Sequence, residues 1–267
     1  MFLDIFRAVW GRLRPCEPFI YDDRCRWVLL GKCLETFRKP IWKTNNFDEY
    51  RNEIKYLLYG VSRKTLFIQY KLSSLLLSKS YPDRWVNNIY FDNINLDLFN
   101  QSIEGISKRT KVRLRWYGDF HNLENPLLEL KSKRGHKNIK KSVMIKDKLI
   151  YGKSLSKFFN NLINSKGLPE SFRYLLKELR PVLANRYFRS YHLSANNKYR
   201  VTTDTSLNFA NLITSSLNSL YWKKQKDVSI VEFKFKKSDD HIVNFMTEIC
   251  SRYRMSQISK YTYGLQL

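Results

Sequence analysis

Basic and apolar side chains alternate along Lys111-Val-Arg-Leu-Arg-Trp-Tyr117, Leu128-Glu-Leu-Lys-Ser-Lys133 and Val231-Glu-Phe-Lys-Phe-Lys236. A period of two sends successive side chains to opposite faces. Each segment therefore predicts a β-strand with charge on one face and Leu, Val, Trp or Phe on the other. Arg51–Tyr56, Val86–Phe91, Lys137–Ile145, Asn185–Tyr191 and Lys198–Thr205 read as further strands, the last two paired around Asn196-Asn197. The loop with Asn122, Asn125 and Pro126 predicts an antiparallel hairpin between the strands at 111–117 and 127–133.

Helical spacing appears between these strands. Ser62 is placed to cap a helix running to about Ser78, with Leu66, Tyr70, Leu72 and Leu75 on a broad apolar face. A short helix or turn spans Leu96 to Ser102, and Ser154 to about Arg180 predicts two helical pieces broken near Gly167 and Pro169. Another helix is expected from Ser238, with Asp239 and Asp240 at its positive end and Ile242, Val243, Phe245, Met246 and Ile249 as its buried stripe. Near the start, Phe2, Ile5, Phe6, Val9 and Leu13 share a helical face until Pro15 and Pro18 stop it. With Arg7, Arg12 and Arg14 elsewhere on it, this segment packs on the domain, forms an extension, or rests on an anionic membrane surface.

Strands with an apolar outer face must be covered, and the amphipathic helices are the available cover. The charged faces then turn toward one another in a closed antiparallel barrel with a basic lumen, or toward water in an open α+β layer. The closed barrel with flanking amphipathic helices is the expected form.

Composition narrows what such a lumen would hold. The 267 residues, 43% of them hydrophobic, suffice for a substantial core. Lys and Arg number 48 against 24 acidic residues, and a formal charge of +24 attracts nucleic acid, anionic membrane or condensed phosphate. No zinc-finger spacing or RNP-type strand is legible, so no specific nucleic-acid partner is expected. Cys16, Cys25, Cys33 and Cys250 form no CxxC pair, which argues against structural zinc and for reduced thiols. His121, His136, His192 and His241 are scattered and suggest no catalytic triad. With no apolar run near the roughly 18 residues of a membrane span and no secretory signal, the expected location is cytoplasmic, with membrane association left open.

The order of motifs resembles the VTC domain, the polyphosphate polymerase branch of the triphosphate tunnel metalloenzymes. The resemblance runs from about Tyr50 to Gly264. It is carried by Tyr50-Arg-Asn-Glu-Ile-Lys-Tyr56, Asn88-Ile-Tyr-Phe-Asp92, Lys111-Val-Arg-Leu-Arg-Trp-Tyr-Gly118, Leu128-Glu-Leu-Lys131, Tyr187-Phe-Arg189, Arg200-Val-Thr-Thr-Asp-Thr205, Val231-Glu-Phe-Lys234 and Ser259-Lys-Tyr261. It implies an N-terminal extension over residues 1–48 and, over 49–267, an α+β domain built on a closed antiparallel eight-stranded β-barrel.

The resemblance also implies a site. Arg113, Arg115, Lys131, Arg189 and Lys260 would face the reacting phosphates, with Lys55, Tyr187, Arg200, Lys234 and Ser259 as further phosphate contacts. Lys140 and Lys141 join them, the strand register leaving open which of the two points inward. Arg engages phosphate oxygens bidentately and Lys acts as a point charge. Glu232, with Glu129 and Glu53 as companions, would hold a divalent metal, Mn²⁺ or Mg²⁺, because hard cations take oxygen ligands.

The implied partners are ATP and polyphosphate or inorganic triphosphate, with a membrane surface or membrane protein reached through the N-terminal extension. Two departures matter. Arg51-Asn-Glu53-Ile-Lys55 stands where hydrolytic relatives read Glu-x-Glu-x-Lys, and Gln257 stands where some polymerases have a basic residue. A triphosphatase of the same fold, and a non-catalytic module binding polyphosphate or nucleic acid, remain the alternatives.

Overall fold

The computed structural model describes residues 20–21, 27–28, 51–135, 137–146, 154–213, 220–236, 249, 253 and 255–267. The chain divides into two compact units, Met1–Trp42 and Lys43–Leu267. In the first, β1 (Ile20–Tyr21) pairs antiparallel with β2 (Trp27–Val28). The helices expected over Phe2–Leu13 and from Ser238 lie outside the described residues.

The second unit runs β3 (Arg51–Tyr59), α1 (Arg63–Leu72), β4 (Ser78–Asp92), α2 (Asp97–Ile103), β5 (Lys108–Tyr117), β6 (Leu127–Arg134) and β7 (Lys137–Met144). It continues with α3 (Leu155–Ile163), α4 (Glu170–Lys177), β8 (Arg180–Leu193), β9 (Arg200–Asn211), β10 (Lys223–Lys224), β11 (Val228–Lys236) and α5 (Lys260–Leu265). Local chemistry sets several of these ends. The Ser62 hydroxyl accepts the Thr65 N–H at 3.0 Å to cap α1, and Ser154 caps α3 through the Lys157 N–H. Asp92, fully buried at the end of β4, accepts the N–H groups of Leu98 and Phe99 and so fixes the start of α2.

The strands form one antiparallel sheet in the order β3-β11-β9-β8-β4-β5-β6-β7, with short β10 also on β9. The expected closed barrel is corrected here. β3 and β7 end the order, and among the described residues no ladder joins them. Both edges have a physical reason to stay apart. Met255 bridges Tyr56 and the Ser256 N–H donates to the Lys55 carbonyl at 2.8 Å, so this segment takes backbone groups of β3 that a closing strand would need. β7 carries Lys137, Lys140 and Lys141, the kind of charge that discourages edge pairing.

The sheet is nevertheless curled. Lys131 on β6 interacts electrostatically with Glu53 on β3 and with Glu232 and Lys234 on β11, and Lys111 on β5 does so with Lys55 on β3. Strands far apart in the pairing order thus face one another across a lumen.

Three apolar clusters follow from strand alternation. On the outer face, Ile89, Phe91, Val112, Leu114, Trp116 and Leu128 pack against Phe158 and Leu162 of α3 and Phe172 and Leu176 of α4. Farther round, Leu58, Val201, Val231, Phe233 and Phe235 pack against Leu66 and Tyr70 of α1, and Ile249 joins them. Outward-facing apolar residues are therefore covered by helices, as expected. The third cluster lies on the concave side, where Tyr90, Leu183, Tyr187, Leu207, Phe209 and Ile230 surround Tyr261 of α5. Tyr261 stacks on Tyr90 with ring centroids 5.0 Å apart and donates its hydroxyl hydrogen to Asp92. A Cβ on Gly264 would collide with Phe209 and Leu183, so only glycine lets α5 seat this closely.

Candidate functional site: a cationic lumen

The residues facing the lumen are those of one strand parity. On β5 these are Lys111, Arg113 and Arg115, opposite Lys131 and Glu129 of β6 and Tyr90 and Asn88 of β4. Arg113 Nε donates to Glu129 at 2.7 Å and its Nη1 lies 3.4 Å from the Tyr90 hydroxyl. Arg115 donates to Asn88 at 2.8 Å and to the Tyr187 hydroxyl at 3.1 Å. These bonds aim each guanidinium, leaving further N–H groups directed into the lumen.

Glu129 is nearly fully buried, at 2% side-chain exposure, and also accepts from Lys140 at 2.7 Å. Burial alone would raise its pKa, but Arg113, Arg115 and Lys140 outweigh this and hold it well below the usual carboxylate range. Lys140 thus points inward. Lys141 pairs with Leu130 on the opposite parity and is exposed on the outer face.

A second wall comes from β3 and β11. Register sets Lys55 opposite Glu232 and Glu53 opposite Lys234. Lys55 meets Glu53 at 2.5 Å, and Lys234 lies 2.7 Å from Glu232 and 3.8 Å from Glu53. Against the opposing effect of burial, Lys234, Lys55, Arg189 and Lys260 hold Glu232 well below its ordinary pKa. Burial and the charge of Glu232 both push Glu53 upward, yet Lys55 and Lys234 leave it lowered. Arg200, opposite Lys234 on β9, is exposed at the rim of this wall.

Between the walls stands a buried knot. Arg189 grips Asp204 with two bonds of 2.6 and 2.7 Å, and Lys260 reaches the same carboxylate at 2.5 Å. The Tyr187 ring lies beneath both cations, 5.2 Å from Arg189 and 4.7 Å from Lys260. Burial would raise the Tyr187 pKa, but Arg115, Arg189 and Lys260 bring it below its ordinary value. Ser259 accepts a hydrogen bond from Lys111 at 2.9 Å, tying the start of α5 to β5.

Two lysines are strained electrostatically. Enclosure and then the charges of Arg113 and Lys234 push Lys131 down to about 7, although its side chain still meets solvent, as expected in a channel rather than a sealed core. Lys111 is pushed down to about 8 by enclosure and by Lys55, Arg109 and Arg113. A bound anion would relieve both shifts.

Of the sequence candidates, the lumen therefore gathers Lys55, Arg113, Arg115, Lys131, Lys140, Tyr187, Arg189, Lys234, Ser259 and Lys260, with Arg200 at its rim and Lys141 outside. The three carboxylates do not converge. Glu53 and Glu232 share one wall, whereas Glu129 stands on the other, and no group of three acidic, His or Cys side chains suited to a metal occurs among the described residues. The Thr202 hydroxyl, opposite Glu232, has no hydrogen-bond partner among the described residues. Oxygen donors of this kind fit a divalent cation that keeps water and phosphate oxygens for most of its shell.

Sequence reading missed Lys111, Asp204, Asn88 and Tyr90. Parity with Arg113 and Arg115 points to Lys111, and parity with Arg200 and Thr202 points to Asp204.

A curled antiparallel sheet, helix-clad outside and lined with Arg, Lys and a few carboxylates on its concave side, is the architecture of the triphosphate tunnel class. Residues 36–267 match the model of the VTC domain, and the chain belongs to that family. The chain is 26% identical over 187 residues to the vacuolar transporter chaperone complex subunit 4 of Schizosaccharomyces pombe, covering 61% of this chain and 26% of that protein. The chain thus spans about a quarter of that relative's length. Similar solved structures include a protein of Vibrio parahaemolyticus assigned as an adenylate cyclase, at 11% identity and a TM-score of 0.44, covering 82% of this chain and 99% of that one. A Hippeastrum protein assigned as an adenylyl cyclase and described as having a dominant triphosphatase activity matches at 13% identity and a TM-score of 0.41, covering 80% of this chain and 96% of that one. Among the described residues no helix is long and apolar enough to cross a membrane.

Proposed function

We propose that the lumen holds condensed phosphate and that the chain transfers the terminal phosphoryl group of ATP to a growing polyphosphate chain. The observation that carries this reading is the surplus of inward cations: Lys111, Arg113, Arg115 and Lys131 share one wall with the single carboxylate Glu129. A phosphate chain carries about one charge per residue and would complete that balance. Membership of the VTC-domain family supports the same assignment.

In this reading Arg113 and Arg115 align successive phosphates, because they project from one face two residues apart. Arg189 and Lys260, already fixed on Asp204, present their remaining N–H groups to oxygens on which charge develops, and need little reorganisation to do so. Tyr187 donates or accepts at the same place. The nucleophile is an oxygen of the acceptor phosphate, so no protein nucleophile is required. Glu232 and Glu53, with the Thr202 hydroxyl nearby, would hold a divalent ion. Such an ion supplies charge neutralisation between phosphate oxygens.

Purified protein incubated with ATP and Mn²⁺ or Mg²⁺, with polyphosphate and free phosphate resolved, tests the proposal. Polyphosphate accumulation is expected. Free phosphate alone would assign a triphosphatase, and neither product would leave a binding module. The relative's place in a complex raises a membrane-bound partner as a further expectation, carried by residues 1–48.

A further inference from the structure

Beside the phosphate-facing residues, the concave face carries an arginine–tyrosine surface that phosphate chemistry does not use. Register places Arg84 opposite Arg189, and Tyr117 and Tyr187 both opposite Val86, so Arg84 and Tyr117 share the lumen parity. Tyr191 lies two residues past Arg189, opposite Thr202. The Arg84 guanidinium sits 3.9 Å from the Tyr117 ring centroid and 5.2 Å from that of Tyr191, and its Nε donates to the Tyr191 hydroxyl at 3.0 Å. Tyr81 meets Tyr191 edge to face at 5.9 Å. Among the described residues Arg84 has no carboxylate partner, and Tyr81 and Tyr117 remain 48% and 41% exposed.

Tyrosine rings of the outer faces are buried under helices, whereas these are held in fixed orientation against solvent. Aromatic faces and guanidinium planes stack on any nucleobase, and a surface already ordered by cation–π contact loses little freedom when a base arrives. The spacing suits a nucleotide. Tyr117 is two residues from Arg115 on the same face, roughly 7 Å along the strand. A base on the tyrosine then leaves its phosphates within reach of Arg115 and Arg189.

We propose that Arg84, Tyr117, Tyr191 and Tyr81 form a nucleobase platform at the edge of the phosphate lumen. It gives the site a preference for nucleoside triphosphate over inorganic triphosphate as the incoming donor. The inference rests on the phosphate-chain reading above and adds the recognition of the base.

Calorimetric titration of the full chain with a nonhydrolysable ATP analogue and, separately, with inorganic triphosphate tests it. Tyr117→Leu is expected to weaken the analogue about tenfold and to leave inorganic triphosphate within about twofold, since stacking on one aromatic ring is lost while the phosphate contacts stay. Tyr81→Leu, at an exposed position, should shift the same ratio by a smaller factor. It decides the matter if Tyr117→Leu fails to fold by circular dichroism. Equal losses for both ligands, or no change in either, would overturn the platform while leaving the phosphate lumen intact. Wild-type protein that binds neither ligand would overturn the lumen reading and the platform with it. Tighter binding of a single-stranded oligonucleotide than of the analogue would also overturn it.

Discussion

Along β3 and β11, charge is balanced residue by residue: Glu53 with Lys55, Glu232 with Lys234, and all four in mutual contact or close to it. Along β5 and β6 it is not, because Lys111, Arg113, Arg115 and Lys131 surround Glu129, to which β7 adds Lys140. The two walls are built by the same alternation of charged and apolar residues, yet they are prepared for different tasks. A self-neutralised wall is stable when empty and can exchange a cation for a lysine. A wall with surplus charge is stable only at the expense of depressed lysine pKa values, and a polyanion removes that expense.

The largest expected effect lies between the walls. Arg189→Ala strands Asp204, which is fully buried, and breaking a buried pair of this kind costs about 3–5 kcal/mol. Denaturant unfolding should register the loss; an unchanged midpoint would mean that Lys260 alone satisfies the carboxylate. On the balanced wall, Glu232→Gln keeps the size and removes a candidate ligand charge, and turnover with divalent ion should fall about a hundredfold with the fold intact. Retained activity with unaltered metal dependence would remove Glu232 from the site.

On the surplus wall, Arg115→Ala should weaken triphosphate binding by roughly tenfold, the loss of one charge-assisted contact of about 1.5–3 kcal/mol. Lys141→Ala makes the same change in net charge on the outer face and should do little. Equal losses at two salt concentrations would reduce the lumen to a diffuse field.

The smallest effect separates the walls by pH. Lys131, at about 7, and Lys111, at about 8, both lie below their ordinary value near 10.5. Between about pH 7 and 10 the unfolded chain therefore binds more protons than the folded one, and stability should rise with pH across that window. A bound polyanion favours the charged ammonium, so triphosphate binding at pH 8 should take up protons. Calorimetry in two buffers of different ionisation enthalpy measures this uptake, and Lys131→Met should reduce it. Identical heats in both buffers would contradict the depressed lysines.

The walls are legible in the sequence to different degrees. Arg113, Arg115, Glu232 and Lys234 sit in strict alternations, so their common face follows from the period of two alone. Arg84 escapes that logic, because register shifts between Lys79 and Tyr81 and between Tyr81 and Arg84 break the period just before it. Sequence pattern leaves Lys140 and Lys141 equivalent; only pairing with Lys131 and Leu130 separates them. The expectation of closure fails because alternation determines faces and not edges. What occupies the edge of β3 is a stretch around Met255 with no period of its own. The six residues of α5 are likewise too short for a helical pattern, and their place in the lumen depends on Tyr261 and Gly264 finding Tyr90, Asp92 and Phe209 across the fold.

The pairing of β3 with β11 has a consequence for how the protein is made. Tyr59 meets Val228 and Arg51 meets Lys236, so one of the earliest strands of this domain finds its neighbour in one of the latest. A nascent chain leaving the ribosome would hold β3 unpaired while every intervening strand emerged. Long-range closure of this kind is slow. During that interval Glu53 and Lys55, interrupting the apolar run of β3, are the residues that keep an open strand edge from recruiting another chain.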